Sequence, residues 1–106
     1  MRLARPAESC ESFWDEQKNR ANRQKHGLDF GDAARVFRGP VLLGLDDRDN
    51  YGEERWVALG LLDGRVVSIV FTEPDVDIAR VISLRKATSS ERARFYQYLA
   101  DRLGEG

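Results

Sequence analysis

Apolar residues in this chain follow helical spacing at both ends and strand-like alternation in the middle. The spacing predicts a first helix over residues 16–26 and a second over residues 30–37. The first of these contains a single apolar residue, Ala21, so it cannot bury a broad apolar stripe. We therefore expect it to lie on the surface, anchored at its start by Phe13 and Trp14.

Four extended, mainly apolar runs follow the second helix, over residues 41–45, 55–62, 65–72 and 77–84. Between the two middle runs, Asp63 and Gly64 are typical of a tight hairpin turn. The third run carries apolar side chains on both of its faces, which indicates a central and largely buried strand. The four runs therefore predict an antiparallel sheet built as a meander.

A last helix is predicted by Thr88 and Glu91, whose spacing is that of a capping box. Phe95 and Leu99 continue it at helical spacing as far as Gly104. Two helices, a meander of about four strands and a closing helix make an α+β domain with an antiparallel sheet.

The length of the chain, 106 residues, is that of one domain. Residues 1–11 show no clear periodicity, and we predict an N-terminal tail there, ahead of a single domain over residues 12–106. Because Cys10 and His26 are the only residues of their kinds, a structural zinc site is excluded, and we expect neither metal nor cofactor. No apolar run can cross a bilayer and no signal segment is present, so we expect a cytoplasmic protein without membrane contact.

Charge is distributed unevenly, although the formal net charge at pH 7 is only −1. Basic residues predominate in segments 18–38 and 80–94, whereas acidic residues predominate between them. If the two basic segments meet in the fold, they form a local anion site on a nearly neutral protein.

One edge of the first helix combines amide, ammonium and imidazole groups, carried by Lys18, Asn22, Lys25 and His26 at spacings of three or four residues. These groups could hydrogen-bond phosphate oxygens, and His26 titrates near neutral pH. The alternative is a solvated helix whose C-terminal end is stabilised by Lys25 and His26 through the helix dipole.

Glu54 and Arg55 open the second strand. The pair could act as a carboxylate base beside a guanidinium clamp, or simply as an ion pair at a strand end.

Arg80 and Arg85 are five positions apart, so a regular strand directs them to opposite faces unless it bends between them. Arg80 then shares an otherwise apolar face with Ile82 and Leu84. A guanidinium in that position needs an anionic partner, either an internal carboxylate or a bound phosphate.

Arg92 and Tyr96 lie one turn apart on the last helix. Tyr96 could serve as a proton donor or as a surface on which a base stacks. The alternative is a partly buried core residue with its hydroxyl at the rim.

Several groups of residues form a specific combination when they are taken in chain order. They are Phe13, Trp14, Asp15, Lys18, Asn19, Asn22, Lys25, His26, Gly27, Phe30, Ala33, Val36 and Phe37, then Glu54, Arg55 and Gly60, then residues 80–87, and finally Glu91, Arg92 and Tyr96. Over about residues 13–96 this combination resembles the BrnT family of type II toxins. Leu84 departs from the pattern, since a small residue is usual there, and this bears on packing beside Arg85.

The resemblance implies a fold similar to that of RelE ribonucleases, in agreement with the predicted order of elements. It also implies an RNA-cleaving toxin that inhibits translation and is neutralised by a BrnA antitoxin. The DNA-binding part of that antitoxin would let the complex repress its own operon, so we expect DNA contact only through the antitoxin.

The chemistry that fits such a toxin is metal-independent attack of the RNA 2′-hydroxyl on its own phosphate. On this hypothesis Arg80 and Arg85 bind the scissile phosphate and His26 or Glu54 accepts the proton. Lys25 or Tyr96 assists the leaving oxygen. Further RNA contacts are expected from Lys18, Asn22, Arg55, Lys86 and Arg92.

Two other classes of function use the same residues differently. A non-catalytic RNA-binding or protein-interaction module would hold phosphates without turnover. A purely structural partner protein would pair its arginines internally with the acidic middle segment.

Overall fold

The computed structural model describes residues 11–46, 54–75 and 78–104. Its elements are β1 (Glu11–Phe13), α1 (Glu16–His26), a 3₁₀ turn (Phe30–Asp32), α2 (Ala33–Phe37), β2 (Val41–Asp46), β3 (Arg55–Leu62), β4 (Arg65–Asp75), β5 (Ile78–Lys86) and α3 (Ser89–Gly104). Cys10 and the predicted strand start at Asp77 lie outside the described residues. The boundary between tail and domain stays a prediction, although Glu11 already belongs to β1.

The sheet has the strand order β1-β5-β4-β3-β2, in which β2 to β5 form an antiparallel meander. This confirms the predicted α+β class. The short strand β1 was not predicted, and it pairs in parallel with the start of β5. The β3–β4 turn has left-handed backbone at both Asp63 (φ 52°) and Gly64 (φ 80°), which suits a tight hairpin and confirms its prediction from sequence.

Each face of the sheet has its own apolar core. On one face, α1 and α2 cover a cluster that includes Phe30, Val36 and Ile69. On the other, α3 covers a smaller cluster built around Leu59 and Phe95. The sheet therefore forms a middle layer between α1 and α2 on one side and α3 on the other.

Gly60 on β3 allows α2 to pack closely on the sheet. A Cβ atom at this position would lie 2.6 Å from Cγ1 of Val36 and 3.1 Å from Cγ1 of Val41. The absence of a side chain therefore sets the distance between α2 and the sheet.

Helix α1 is held to the fold by two asparagines. Asn19 and Asn22 are buried, whereas Ala21 is exposed. The prediction that Phe13 anchors this helix is wrong, because its side chain is 45% exposed. Trp14 does pack against the main core.

The side-chain amide of Asn22 makes hydrogen bonds to β5 of the kind that a neighbouring strand would make. Its Nδ2 donates to the carbonyl oxygens of Leu84 (2.8 Å) and Leu28 (2.9 Å), while its Oδ1 accepts from the Leu84 N–H (3.2 Å). Strand β1 pairs only with the first residues of β5, ending at Arg80. Asn22 therefore satisfies the outer edge of β5 where β1 has ended.

Strand β5 contains a bulge at Ile82. Val81 pairs with Phe71 and Ser83 pairs with Val70, so Ile82 has no opposite residue on β4. The prediction that Arg80 shares a face with Leu84 is therefore wrong, because the extra residue reverses the alternation between them. A second irregularity, between Thr72 and Asp75, falls where β4 contains a proline.

Candidate active site

The two basic segments meet where α1 ends, β5 ends and α3 begins. Lys25, His26, Arg85, Lys86 and Thr88 line a recess of about 450 Å³ there, which we call the corner recess. Lys25 and His26 come from the first basic segment, and Arg85 and Lys86 from the second. A site with this composition is suited to bind an anion.

The end of α1 positions Lys25 and His26. Gly27, at φ 72°, ends the helix in left-handed backbone, and its N–H donates to the carbonyl of Arg23 at 2.8 Å. The hydrogen bonds of Asn22 to Leu84 tie this last turn to β5, one residue before Arg85. The positive side chains also complement the negative end of the helix dipole.

The start of α3 fixes Arg85. Thr88 and Glu91 form the predicted capping box, with the Thr88 N–H donating to Glu91 Oε1 at 2.8 Å and the Glu91 N–H donating to Thr88 Oγ1 at 3.2 Å. Arg85 donates to both carboxylate oxygens of Glu91, at 2.8 and 3.0 Å. This bidentate pair orients the guanidinium, and Nη1 also donates to the carbonyl of Lys86 at 3.1 Å, so two of its five N–H groups remain available for an anion.

The electrostatics of this region keep the histidine of the corner recess neutral and the neighbouring Glu91 carboxylate ionised. Desolvation, together with the positive charges of Lys25 and Arg85, lowers the pKa of His26 below its usual 6.5. The hydrogen bonds from Arg85 are the main reason why the pKa of Glu91 falls to about 2. Near pH 7, His26 is therefore able to accept a proton.

The bulge at Ile82 places Arg80 and Arg85 on the same face of the sheet. Arg85 lies opposite Ser68 and Arg80 lies opposite Thr72 on β4. Four residues of strand correspond to about 13 Å, so the two arginines lie on one face without adjoining. Within the described part of the chain, no hydrogen bond or ion pair engages the half-buried Arg80 side chain.

A second recess lies on this same face, between the edge of the sheet and α3. It has a volume of about 360 Å³ and we call it the sheet groove. Its lining consists of Leu42, Leu43, Gly44, Leu45, Asp46, Val57, Leu59, Arg85, Glu91 and Arg94. Arg85 lines both recesses and thereby connects them.

Sequence reasoning missed Glu91 and Arg94 as residues of this region. Glu91 was interpreted only as a helix cap and as part of the family pattern. Its spacing of three from Arg94 on α3, which puts the two side chains on one helix face, is a signal that could have found the pair.

Other predicted site residues lie apart from the corner recess or are engaged within the protein. Asn22 is buried, and its side chain is engaged in hydrogen bonds to the backbone. Arg92 donates to Ala87 O (3.2 Å) and Ser89 Oγ (3.1 Å). Tyr96 is 51% exposed and packs edge-on against Phe95, so the core interpretation of Tyr96 is wrong.

Arg55 lies opposite Asp46 on β2. Glu54 is exposed just before β3, and Lys18 is exposed on α1. None of these residues lines the corner recess. Among residues 11–46, 54–75 and 78–104, no group of three or more His, Cys, Asp or Glu side chains is arranged to hold a metal ion. No described helix is long and apolar enough to span a membrane.

Comparisons with known proteins agree on one family. The sequence model described as "Ribonuclease toxin, BrnT, of type II toxin-antitoxin system" matches residues 14–91. Among solved structures, the chain is similar to the crystal structure of the Brucella abortus ribonuclease toxin BrnT, with 29% sequence identity and a TM-score of 0.62. The match covers 76% of this chain and 99% of the Brucella chain. No curated protein sequence matches the chain.

Proposed function

Since the chain belongs to the BrnT family of ribonuclease toxins from type II toxin–antitoxin systems, we propose that it cleaves RNA at the corner recess by a metal-independent reaction. The observation that carries this proposal is the convergence of His26 with Lys25, Arg85 and Lys86, which come from separate basic segments. An imidazole among three cations is suited to move a proton beside a phosphate.

In the proposed reaction, neutral His26 takes the proton of an RNA 2′-hydroxyl as that oxygen attacks the adjacent phosphorus. Arg85 and Lys86 stabilise the additional negative charge on the phosphoryl oxygens. The bond from phosphorus to the 5′-oxygen breaks, and Lys25 supplies a proton to that oxygen. The products are a 2′,3′-cyclic phosphate and a free 5′-hydroxyl, so no water or other co-reactant enters this step.

The position of each group supports these assignments over their alternatives. Lys25 lines the corner recess, whereas Tyr96 does not, which favours Lys25 as the proton donor. His26 is favoured over Glu54 as the base for the same reason. Arg80, about four residues of strand from Arg85, is better placed for a neighbouring phosphate than for the scissile one.

The family implies an antitoxin partner. We propose a BrnA-type antitoxin that covers the basic surface of α1 and α3, and that contacts DNA on behalf of the complex. Cutting RNA would inhibit translation, and covering the corner recess would prevent the cut. Titration with this antitoxin should abolish RNA cleavage at a stoichiometric ratio, and undiminished cleavage at saturation would contradict occlusion.

The cleavage proposal is tested by incubating purified, antitoxin-free protein with total RNA in excess EDTA and mapping the new ends. We expect 2′,3′-cyclic phosphates from the wild-type protein. Folded His26→Ala should lose at least about 100-fold in cleavage rate, which is typical of a general base.

Arg65→Ala provides a matched control, because Arg65 is an exposed cation at the β3–β4 turn that lines neither recess. It should cleave like the wild-type protein. Arg80→Ala should lose RNA affinity and cleavage, which also excludes a contaminating nuclease. Equal cleavage by wild type and His26→Ala would remove His26 from the mechanism, and intact RNA even with ribosomes present would favour a non-catalytic binding module.

A further inference from the structure

The composition of the sheet groove suits a flat molecule with polar edges. Its floor comes from the apolar side chains of Leu42, Val57 and Leu59 together with Gly44, and Arg94 and Glu91 on α3 form one wall. The volume of about 360 Å³ falls within the range of small-ligand pockets, which is about 300–1,000 Å³.

Gly44 keeps this groove open. In the register of the sheet it lies opposite Val57, whose side chain packs in the α3-side core. A Cβ atom built at Gly44 has no atom within 4 Å, so a side chain there would enter the open space without disturbing the backbone.

The charges in the groove favour a nucleobase over a phosphate. Asp46 and Glu91 line it together with Arg85 and Arg94, so two negative and two positive side chains balance and leave no net positive charge to hold a phosphate. Carboxylates accept hydrogen bonds from the amino and imino groups of bases. A guanidinium such as that of Arg94 stacks on the face of any base.

The groove also adjoins the proposed cleavage site. Arg85 lines both the sheet groove and the corner recess, so a strand whose phosphate lies at Arg85 has its next base within reach of the groove. We propose that the sheet groove binds one unpaired nucleobase flanking the scissile phosphate, and that Gly44 and Arg94 thereby determine which RNA positions are cleaved. This inference rests on the proposed ribonuclease function.

The test uses oligodeoxyribonucleotides that contain a single ribonucleotide, so that only the linkage after its 2′-hydroxyl can be cut. In each member of the series one nucleotide near that linkage is abasic. Wild-type protein should lose about tenfold in kcat/KM when the abasic position is the one bound in the groove, which is the order of magnitude expected for one stacked base.

Gly44→Val fills the groove and should remove this dependence. On the substrate that has all its bases, kcat/KM of this variant should fall by about tenfold, to the value that the wild-type protein has on the abasic substrate. On the abasic substrate the variant should show no further loss. Arg94→Ala removes the stacking group and should reduce the dependence by a separate route. Ala100→Val introduces the same side chain at an exposed position of α3 outside both recesses and should behave as wild type.

The outcomes separate this inference from the proposed function. If the wild-type protein cuts and no abasic position slows it, or if folded Gly44→Val keeps the wild-type dependence, the base site is wrong and the ribonuclease stands. If Gly44→Val loses antitoxin binding but cuts every substrate normally, the groove belongs to the antitoxin. If the wild-type protein cuts no RNA, both the function and the base site are wrong.

Discussion

At the residue scale, the buried polar side chain of Asn22 attaches a helix to the sheet, a role that apolar core residues usually have. Its amide matches both backbone groups of Leu84, so α1 attaches to the sheet through hydrogen bonds rather than through an apolar stripe. The sequence showed an amide at helical spacing from Lys25 but could not show that a strand edge lies beneath it, because that edge is 62 residues away in the chain.

Replacing Asn22 by alanine should lower the free energy of unfolding by about 2–3 kcal/mol, because a buried N–H and two carbonyls lose their partner. Urea denaturation measures this loss. Gln24→Ala, at an exposed position of the same helix, should change stability by less than about 0.5 kcal/mol. Unchanged stability of Asn22→Ala combined with weaker RNA binding would instead make Asn22 a ligand for RNA.

Glu91 makes stability depend on pH through its ion pair with Arg85. Both side chains are largely buried in this pair, with Arg85 25% exposed and Glu91 13% exposed. The folded-state pKa of Glu91 is lowered from 4.5 to about 2. As the pH falls, the Glu91 carboxylate therefore binds a proton in the unfolded chain before it does so in the folded protein. The stabilisation is present above about pH 4.5 and is lost as the pH falls towards 2.

Wild-type protein should exceed Glu91→Gln in stability by on the order of 2–3 kcal/mol near neutral pH, and the difference should shrink steadily below about pH 4.5. Denaturation at a series of pH values measures the difference. Asp101→Asn, an exposed carboxylate on the same helix, corrects for general effects of acid. A wild-type advantage that stays constant down to about pH 2.5 would contradict this linkage.

At the element scale, the bulge in β5 decides which side chains share a face. Alternation alone assigned Arg80 and Arg85 to opposite faces, and only the pairing of β5 with β4 shows that Ile82 is the extra residue. Helix α1 and the capping box of α3 could be predicted from local signals, because each capping side chain lies within four residues of the backbone group that it bonds. Strand β1 gave no such signal, because its three residues depend on a partner far along the chain.

Deletion of Ile82 should leave the sheet intact, because it joins Val81 to Ser83 in a regular ladder and keeps every other side chain on its present face. We expect a loss of less than about 3 kcal/mol, as for an ordinary destabilising substitution. Deletion of Ala58, in the regular part of β3, should unfold the domain because it reverses the face of each residue beyond it. Circular dichroism and thermal denaturation distinguish the two, and unfolding of both variants would contradict the assignment of the bulge.

At the scale of the whole molecule, a chain of net charge −1 concentrates cations at one corner. The sequence showed the two basic segments and the condition under which they would form an anion site. It could not show that Arg85 pairs with Glu91 on α3 rather than with the acidic middle segment, because that choice depends on how α3 packs against the sheet.

RNA binding should depend on salt through this local cluster. If Lys25, Arg85 and Lys86 each contribute one ion pair to RNA binding, the logarithm of the association constant should fall with the logarithm of salt concentration at a slope of about −2, taking about −0.7 per ion pair for a single strand. Lys86→Ala should reduce that slope by about 0.7, whereas Arg65→Ala should leave it unchanged. Fluorescence anisotropy with a non-cleavable 2′-deoxy-substituted strand provides the measurement, and equal effects of the two variants would indicate diffuse binding.

The central claim is that His26 accepts the 2′-hydroxyl proton in the corner recess, and the pH dependence of kcat/KM for RNA cleavage tests it most directly. Because burial and neighbouring cations lower the pKa of His26, kcat/KM should rise with pH to an inflection below 6.5 and then level off. Folded His26→Ala should lose both that inflection and at least about 100-fold in rate. If the variant retains the same inflection and the wild-type rate, His26 is not the base and the corner recess is not the catalytic centre.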